Sequence, residues 1–253
     1  HRATVEQVYA QILKDLTDGA PLLEKKKTNG YINYYANMAI QARVHLYMEN
    51  YSAALAAAET VINSKVYTLY TNDNWVRSWT AQFNTESIFE LAILQGESDL
   101  GSGSLSFYLR RHGHGSTSAM GWFMASDYWL ERMNQDPDDV RWGVMDYDES
   151  YRDTGVYRYG SCYKYSGSTT FEGDGKGSPT AVNIKVIRLS EVYLIAAEAA
   201  LGSGNKEKAA TYLQAIRKRS PNLAEATAAN ITVDMILNER SKELFAEGHR
   251  FFD

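Results

Sequence analysis

The chain repeats one pattern of small and apolar residues at a distance of 155 positions, and this self-similarity constrains its fold more than any other feature. When the sequence is shifted by that distance, Ala42 aligns with Ala197 and Ala54 aligns with Ala209. The same shift places Leu46 on Leu201, Asn50 on Asn205 and Val61 on Ile216. Self-similarity of this kind predicts that one supersecondary unit is used twice.

Apolar residues at helical spacing predict that each repeat is a pair of helices. The first pair covers residues 31–49 and 51–63, and the second pair covers residues 185–201 and 206–219. Small residues where two helices cross are typical of a tetratricopeptide hairpin, because they let the backbones approach closely. Generic packing of alanine-rich helices is the alternative interpretation.

Other segments predict further short elements around these pairs. Helices are expected at residues 4–17, where Thr4 and Gln7 fit a capping box, near residues 124–134, and at residues 232–247, with Gly248 as the terminating glycine. The segment at 66–69 is expected to be extended. A glycine- and serine-rich stretch from Gly96 to about Ser118 predicts a long loop, and alternating tyrosines in residues 142–166 predict short strands.

The distance between the two helix pairs predicts a large insertion. Tetratricopeptide units normally follow one another every 34 residues or so, whereas roughly 120 residues separate these pairs. We therefore expect a mostly α-helical fold in three portions: residues 1–95 and 182–253 carry the repeats, and residues 96–181 form a loop-rich, aromatic-rich insertion. Insertions in repeat proteins often form the binding face.

Composition excludes several classes of function. The net charge of −5 disfavours binding to nucleic acid or to an anionic membrane surface. No window approaches the ~20 apolar residues of a membrane span, and the single cysteine, Cys162, cannot form a disulfide within the chain. Since the sequence starts at His1 without a signal-peptide pattern, we expect any anchor or targeting signal to lie outside this segment.

The residues that could carry chemistry do not form a convincing catalytic or metal site. His112 and His114 lack a third ligand at zinc spacing, and Glu97 with Asp99 lacks the spacing of a calcium loop. The acidic residues between 136 and 149 are typical of a solvated loop, and no nucleophile with its base is evident. We expect neither an enzyme nor a cofactor.

The last predicted helix is unusually rich in charged residues around a few apolar ones. Glu239, Glu243 and Glu247 lie on it, and Arg240 follows the spacing for a pair with Glu243. Arg217 and Arg219, at the end of the preceding helix, could supply further cations. We interpret these charges, together with Arg250, as a structural ion network between packed helices.

These segments resemble the SusD/RagB family. Residues 188–199 (RLSEVYLIAAEA) are similar to its R-L-x-E-x-x-L-x-x-A-E-A helix, and residues 239–253 (ERSKELFAEGHRFFD) match E-R-x-x-E-L-x-x-E-G-x-R-x-x-D nearly position by position. Residues 215–219 (AIRKR) resemble the segment between them, although Gln214 stands where asparagine is usual. Residues 42–47 (ARVHLY) and 61–69 follow the family's N-terminal order less sharply.

The resemblance implies a function in nutrient capture. Family members are surface-exposed lipoproteins of the bacterial outer membrane, which bind glycans, or peptides in some members, and deliver them to a TonB-dependent SusC-like transporter. Among insertion residues we expect glycan contacts from Trp122, Trp142, Tyr157, Tyr159, Tyr108 and Arg110, with loop packing as the alternative. A peptide-binding relative, a plain tetratricopeptide adaptor and a glycoside hydrolase are the competing hypotheses.

Overall fold

A computed structural model describes residues 2–93, 97, 100–110, 121–147, 159–165 and 182–251. The helices in these ranges are α1 (Val5–Gly19), α2 (Tyr34–Tyr47), α3 (Tyr51–Ser64), α4 (Asn72–Ser78), α5 (Leu105–Leu109), α6 (Asp127–Met133), α7 (Leu189–Gly202), α8 (Lys206–Arg217) and α9 (Val233–Glu243). The strands are β1 (Ser87–Leu91), β2 (Met145–Tyr147), β3 (Tyr159–Cys162) and β4 (Ile184–Arg188). The predicted mostly α-helical class is confirmed. No helix among the described residues is long and apolar enough to cross a membrane.

The two repeats are helix pairs, α2 with α3 and α7 with α8, and α3 packs against α7 to join them. Ala42, Ala54, Ala197 and Ala209 are all completely buried. Their small side chains therefore sit where the helices approach each other, as the repeat pattern predicts. The predicted capping box is also present, since the Thr4 side chain accepts from the Gln7 amide and the Gln7 side chain accepts from the Thr4 amide.

The predicted start of the second repeat was wrong by several residues. Residues 184–188 form β4, which pairs antiparallel with β1 rather than extending α7. Val186 and Ile187 are β-branched and fit a strand, and a short apolar run does not separate strand from helix by its period. The stretch 66–69, expected to be extended, belongs to no strand.

Two further boundaries differ from the sequence expectation. The described part of the predicted loop at 96–118 contains the short helix α5, which the Ser104 side chain caps by accepting from the Phe107 amide. The last helix ends at Glu243 instead of continuing to 247. The carbonyls of Glu243 and Phe245 accept hydrogen bonds from the buried Lys164 ammonium, which satisfies carbonyl groups at the end of α9 without another helical turn.

A close contact between the two repeats makes Gly202 a sensitive position. A Cβ atom there would lie 2.6 Å from Cγ of Tyr51 at the start of α3. We expect Gly202→Ala to lower the melting temperature by several degrees, because overpacking typically costs about 1–3 kcal/mol and the gain in helix propensity offsets only part of that. Thermal unfolding followed by circular dichroism measures this. Gly103→Ala is the control, since its Cβ would meet open space; equal melting temperatures for both variants would contradict the prediction.

Candidate functional site

The charged residues of α9 form a buried network, as the sequence predicts. The Glu243 carboxylate is fully buried, and it lies 3.0 Å from Nε of Arg219, 3.1 Å from Nη1 of Arg188 and 3.4 Å from Nη1 of Arg141. Burial by itself would raise the pKa of Glu243, but the three guanidinium groups together hold it well below its ordinary value. Glu243 therefore stays ionised and connects three parts of the chain.

The network continues on both sides of Glu243. It includes the ion pairs Arg141–Asp139, Arg141–Glu239, Arg188–Glu247, Lys164–Glu247, Arg188–Glu86 and Arg219–Glu86. The predicted contribution of Arg219 is confirmed, and Arg217 lies 3.5 Å from Glu239. The predicted pair between Arg240 and Glu243 was wrong, because the Arg240 side chain points towards Glu198, 3.9 Å away.

Arg250 also lies outside this network, which corrects the expectation from the sequence. Its side chain is exposed on the surface that follows α9. The helix ends seven residues earlier, so Arg250 no longer shares the helical face of Glu239 and Glu243. It is therefore available to solvent or to a ligand.

Two tryptophans lie inside the charged network. Trp79 is almost fully buried, with Lys164 Nζ 4.7 Å, Arg188 Cζ 4.9 Å and Lys185 Nζ 5.3 Å from its ring centroid. Trp75 packs edge-on against it at 5.8 Å. Cation–π attraction is strengthened by desolvation. The two rings therefore help to stabilise the buried cations of the network, in addition to its carboxylates.

Two of the acidic residues considered for chemistry, and the cysteine, are buried parts of the structure, whereas Glu97 is exposed. Asp136 and Asp139 are buried, so the expectation that they belong to a solvated loop was wrong. Asp136 accepts from the amide and side chain of Asn222, and Asp139 binds Arg141 through both oxygens. Cys162 is buried, and burial raises the pKa of its thiol to about 11. His112, His114 and Asp99 lie outside the described residues. Within the described ranges, no three His, Cys, Asp or Glu side chains are grouped as metal ligands would be.

Two exposed aromatic residues of the insertion, together with the half-buried Tyr108, form the candidate ligand-binding site. Trp122 is 63% exposed and Phe123 is 59% exposed, and both rings lie 5.6 Å from the ring of Tyr108. We call these three residues the aromatic surface. Large apolar groups exposed together are uncommon on soluble proteins and often mark an interaction site.

Hydrogen bonds of the surrounding backbone hold the aromatic surface in place. The Phe123 amide donates to the carbonyl of Tyr108 at 3.1 Å, which joins the segment before α6 to the end of α5. The Ala125 amide donates to the carbonyl of Gly160 in β3 at 2.9 Å, and the Ser126 side chain caps α6. Trp122 and Phe123 are therefore presented from a fixed segment between two short helices.

A cleft of about 550 Å³ is lined by residues that come just after Trp122 and Phe123 in the sequence. Its walls come from α6 and the residues just before it, and from the end of α9 and the residues after it. The aromatic residues that line it are Tyr128, Trp129, Phe245 and Phe251. Trp129 fixes α6 to α9, since its indole N–H donates to the Ser241 carbonyl at 2.9 Å and its ring lies 4.1 Å from Phe245. Tyr128, by contrast, is 75% exposed.

The structure brings together some of the predicted site residues but not all of them. Trp122 and Tyr108 lie side by side. Trp142 is only half-buried, yet its indole N–H donates to the Asp136 carbonyl and its ring packs edge-on against Trp129, which favours a packing role. Arg110 is buried, and burial lowers its pKa. Tyr157 and the side chain of Tyr159 lie outside the described residues, so all these assignments remain predictions.

Two exposed aromatic residues, Phe123 and Tyr128, were missed by the sequence reasoning. Both follow Trp122 within six positions. Several aromatic residues close to Ser126, which caps α6, are a signal in the sequence that could have indicated a binding segment. Aromatic residues beside the start of a helix are either buried or exposed to a ligand. Which of the two applies depends on burial, and burial is set by distant parts of the chain.

The comparisons with known proteins place these features in a family context. The family model described as SusD family matches residues 120–253. A SusD superfamily protein from Bacteroides thetaiotaomicron VPI-5482 is 33% identical with a TM-score of 0.87 over 99% of this chain and 55% of its own. A SusD superfamily protein from Bacteroides vulgatus ATCC 8482 is 34% identical with a TM-score of 0.82 over the same shares.

A third solved structure, described as a laminarin-binding SusD-like protein, is 24% identical. Its TM-score of 0.76 over 99% of this chain and 61% of its own shows the same fold. No curated protein sequence matches the chain. With respect to length, the chain spans 55–61% of these three solved structures.

Proposed function

The chain belongs to the SusD family, and from this premise we propose that it captures glycan at the cell surface and delivers it to a SusC-like TonB-dependent transporter. The proposal includes an outer-membrane location through a lipid anchor. It follows what family membership implies, and the laminarin-binding neighbour agrees with a glycan as ligand.

The observation that carries the proposal is the aromatic surface. Sugar rings present apolar C–H faces that stack on aromatic rings, while their hydroxyl groups need polar partners. Trp122 and Tyr108 lie 5.6 Å apart with their planes tilted by 46°, so they offer two differently oriented faces to successive sugar units. Tyrosine and tryptophan suit this role because each combines a large apolar body with a polar group.

The ion pairs of the acidic residues on and just after α9 support capture without catalysis. A glycosidase needs two carboxyl groups facing each other across an accessible cleft. Glu239, Glu243 and Glu247 are each held by buried cations within the network. Carboxylates committed to such pairs are poorly placed to protonate a glycosidic oxygen, so these residues support the scaffold instead.

We expect Trp122→Ala to weaken glycan binding by roughly ten- to a hundredfold. Stacking of a ring on an aromatic platform is worth about 1–3 kcal/mol in comparable base-stacking sites. The measurement is calorimetric titration with a panel of polysaccharides that includes laminarin, with circular dichroism to check folding.

Tyr31→Ala is the control for this titration, because Tyr31 is also highly exposed (77%) but lies just before α2, the first helix of the first repeat. Its affinity should be unchanged. Trp142→Ala tests the remaining tryptophan prediction in the same experiment. Unchanged affinity in Trp122→Ala with intact folding would place the site elsewhere, and release of reducing sugar from a bound polysaccharide would establish a hydrolase.

A further inference from the structure

The cleft beside the aromatic surface is lined by two arginines. Arg132 enters it from the last turn of α6, and Arg250 enters it from the segment after α9. Among the described residues that line the cleft, none is an aspartate or a glutamate. This stands out in a chain whose net charge is −5.

Arg132 and Arg250 differ from the arginines of the buried network. Arg141, Arg188 and Arg219 each bind two or more carboxylates. Within the described part of the chain, neither Arg132 nor Arg250 forms a salt bridge. Both therefore keep charge that no carboxylate among the described residues neutralises.

The structure also holds one of these groups in position. Nε of Arg132 donates to Oδ1 of Asn238 on α9 at 2.9 Å, which fixes the guanidinium while using one of its five N–H donors. The side chain is half-buried, whereas Arg250 is exposed. A pre-positioned guanidinium presents a planar fork that matches the oxygens of a carboxylate or of a sulfate ester.

We propose that the ligand of this protein is an acidic glycan, whose carboxylate or sulfate groups bind Arg132 and Arg250 while its rings stack on the aromatic surface. This inference rests on the proposed glycan-binding function and adds the chemical class of the ligand. The chain from Trp122 to Tyr128 runs from the aromatic surface into the cleft, so one extended glycan can reach both. Tyr128 supplies a further exposed ring beside the two cations.

Matched pairs of acidic and neutral probes test this class. Oligogalacturonate is compared with its methyl ester, and dextran sulfate is compared with dextran, by calorimetric titration of the protein at two salt concentrations. We expect the acidic member of at least one pair to bind about tenfold more tightly than its neutral partner, with affinity that falls as salt rises. The pair that shows the difference identifies carboxylate or sulfate as the recognised group.

Variants of the two arginines decide whether the cleft is responsible. Arg132→Gln and Arg250→Gln should each weaken binding of the acidic probe by about tenfold. Arg77→Gln is the matched control, since Arg77 is an exposed arginine in the last turn of another short helix, α4. If Arg132→Gln fails to fold, the exposed Arg250 still gives the answer.

The outcomes separate this inference from the function on which it rests. Equal binding of acidic and neutral probes, or full affinity in both arginine variants, would overturn the acidic class and leave glycan capture intact. Binding of neutral glycans alone would do the same. Failure of every glycan on the panel to bind would overturn the proposed function and the inference with it.

Discussion

Glu243→Ala should reduce the free energy of unfolding by about 3–5 kcal/mol, the usual cost of removing one partner from a buried ion pair. The substitution leaves the guanidinium groups of Arg141, Arg188 and Arg219 buried without the carboxylate that they share. For a chain of this size the loss corresponds to a fall of about 10 °C in melting temperature. Differential scanning calorimetry measures it directly.

Asp234→Ala is the control for this experiment, because Asp234 lies on the same helix but is exposed to solvent. Its melting temperature should change by about 1 °C or less, since exposed charges contribute little. A small shift in Glu243→Ala, together with loss of glycan binding, would show that Glu243 belongs to a ligand site and that the network is not structural.

Trp79→Ala should have an effect of similar size, about 3–5 kcal/mol, which is typical of emptying a buried aromatic site. The ring contacts Lys164, Lys185 and Arg188. Its removal therefore leaves a cavity and also removes the aromatic contact of three buried cations. Urea unfolding followed by circular dichroism gives the change in stability.

Trp122→Ala serves as the comparison for Trp79, since it removes the same side chain from an exposed position. The two variants should behave in opposite ways: Trp79→Ala loses stability, and Trp122→Ala loses affinity while keeping its unfolding midpoint. Similar midpoints for the two variants would contradict the assignment of Trp79 to the scaffold.

The repeat hairpins could be predicted from the sequence because their signal is local. Ala42 and Ala54, with their counterparts 155 residues later, lie in segments whose apolar residues have helical periodicity, and each crossing involves helices that are adjacent in the chain. The start of α7 could not be placed, because residues 184–188 become a strand only by pairing with β1, nearly a hundred residues earlier.

The partners of the charged residues could be predicted only in part. The family resemblance and the charge pattern indicated that Glu239 and Glu243 are structural. Their principal partner on the insertion side, Arg141, is about a hundred residues away and was not foreseen, since no local period connects them. The pair that spacing did suggest, Arg240 with Glu243, does not form.

The candidate site shows the same limit. Trp122 was singled out because it follows Gly121 at a break in regular structure, and it is exposed. Trp142 was singled out for the same reason, yet it packs against Trp129. A turn signal indicates that a side chain can be presented, but the contacts of Trp142 come from a helix that the sequence does not bring near it.

Hydrogen–deuterium exchange with and without bound glycan tests the central claim, which is that this SusD family protein captures glycan through the aromatic surface of its insertion. The ligand is the polysaccharide that binds most tightly in the calorimetric panel, added at saturation. We predict slower exchange in residues 105–110 and 121–133, which carry Tyr108, Trp122 and the wall of the cleft, with no change in α2 and α3. Protection confined to the helix pairs, with none in these two segments, would contradict the claim and favour a tetratricopeptide adaptor.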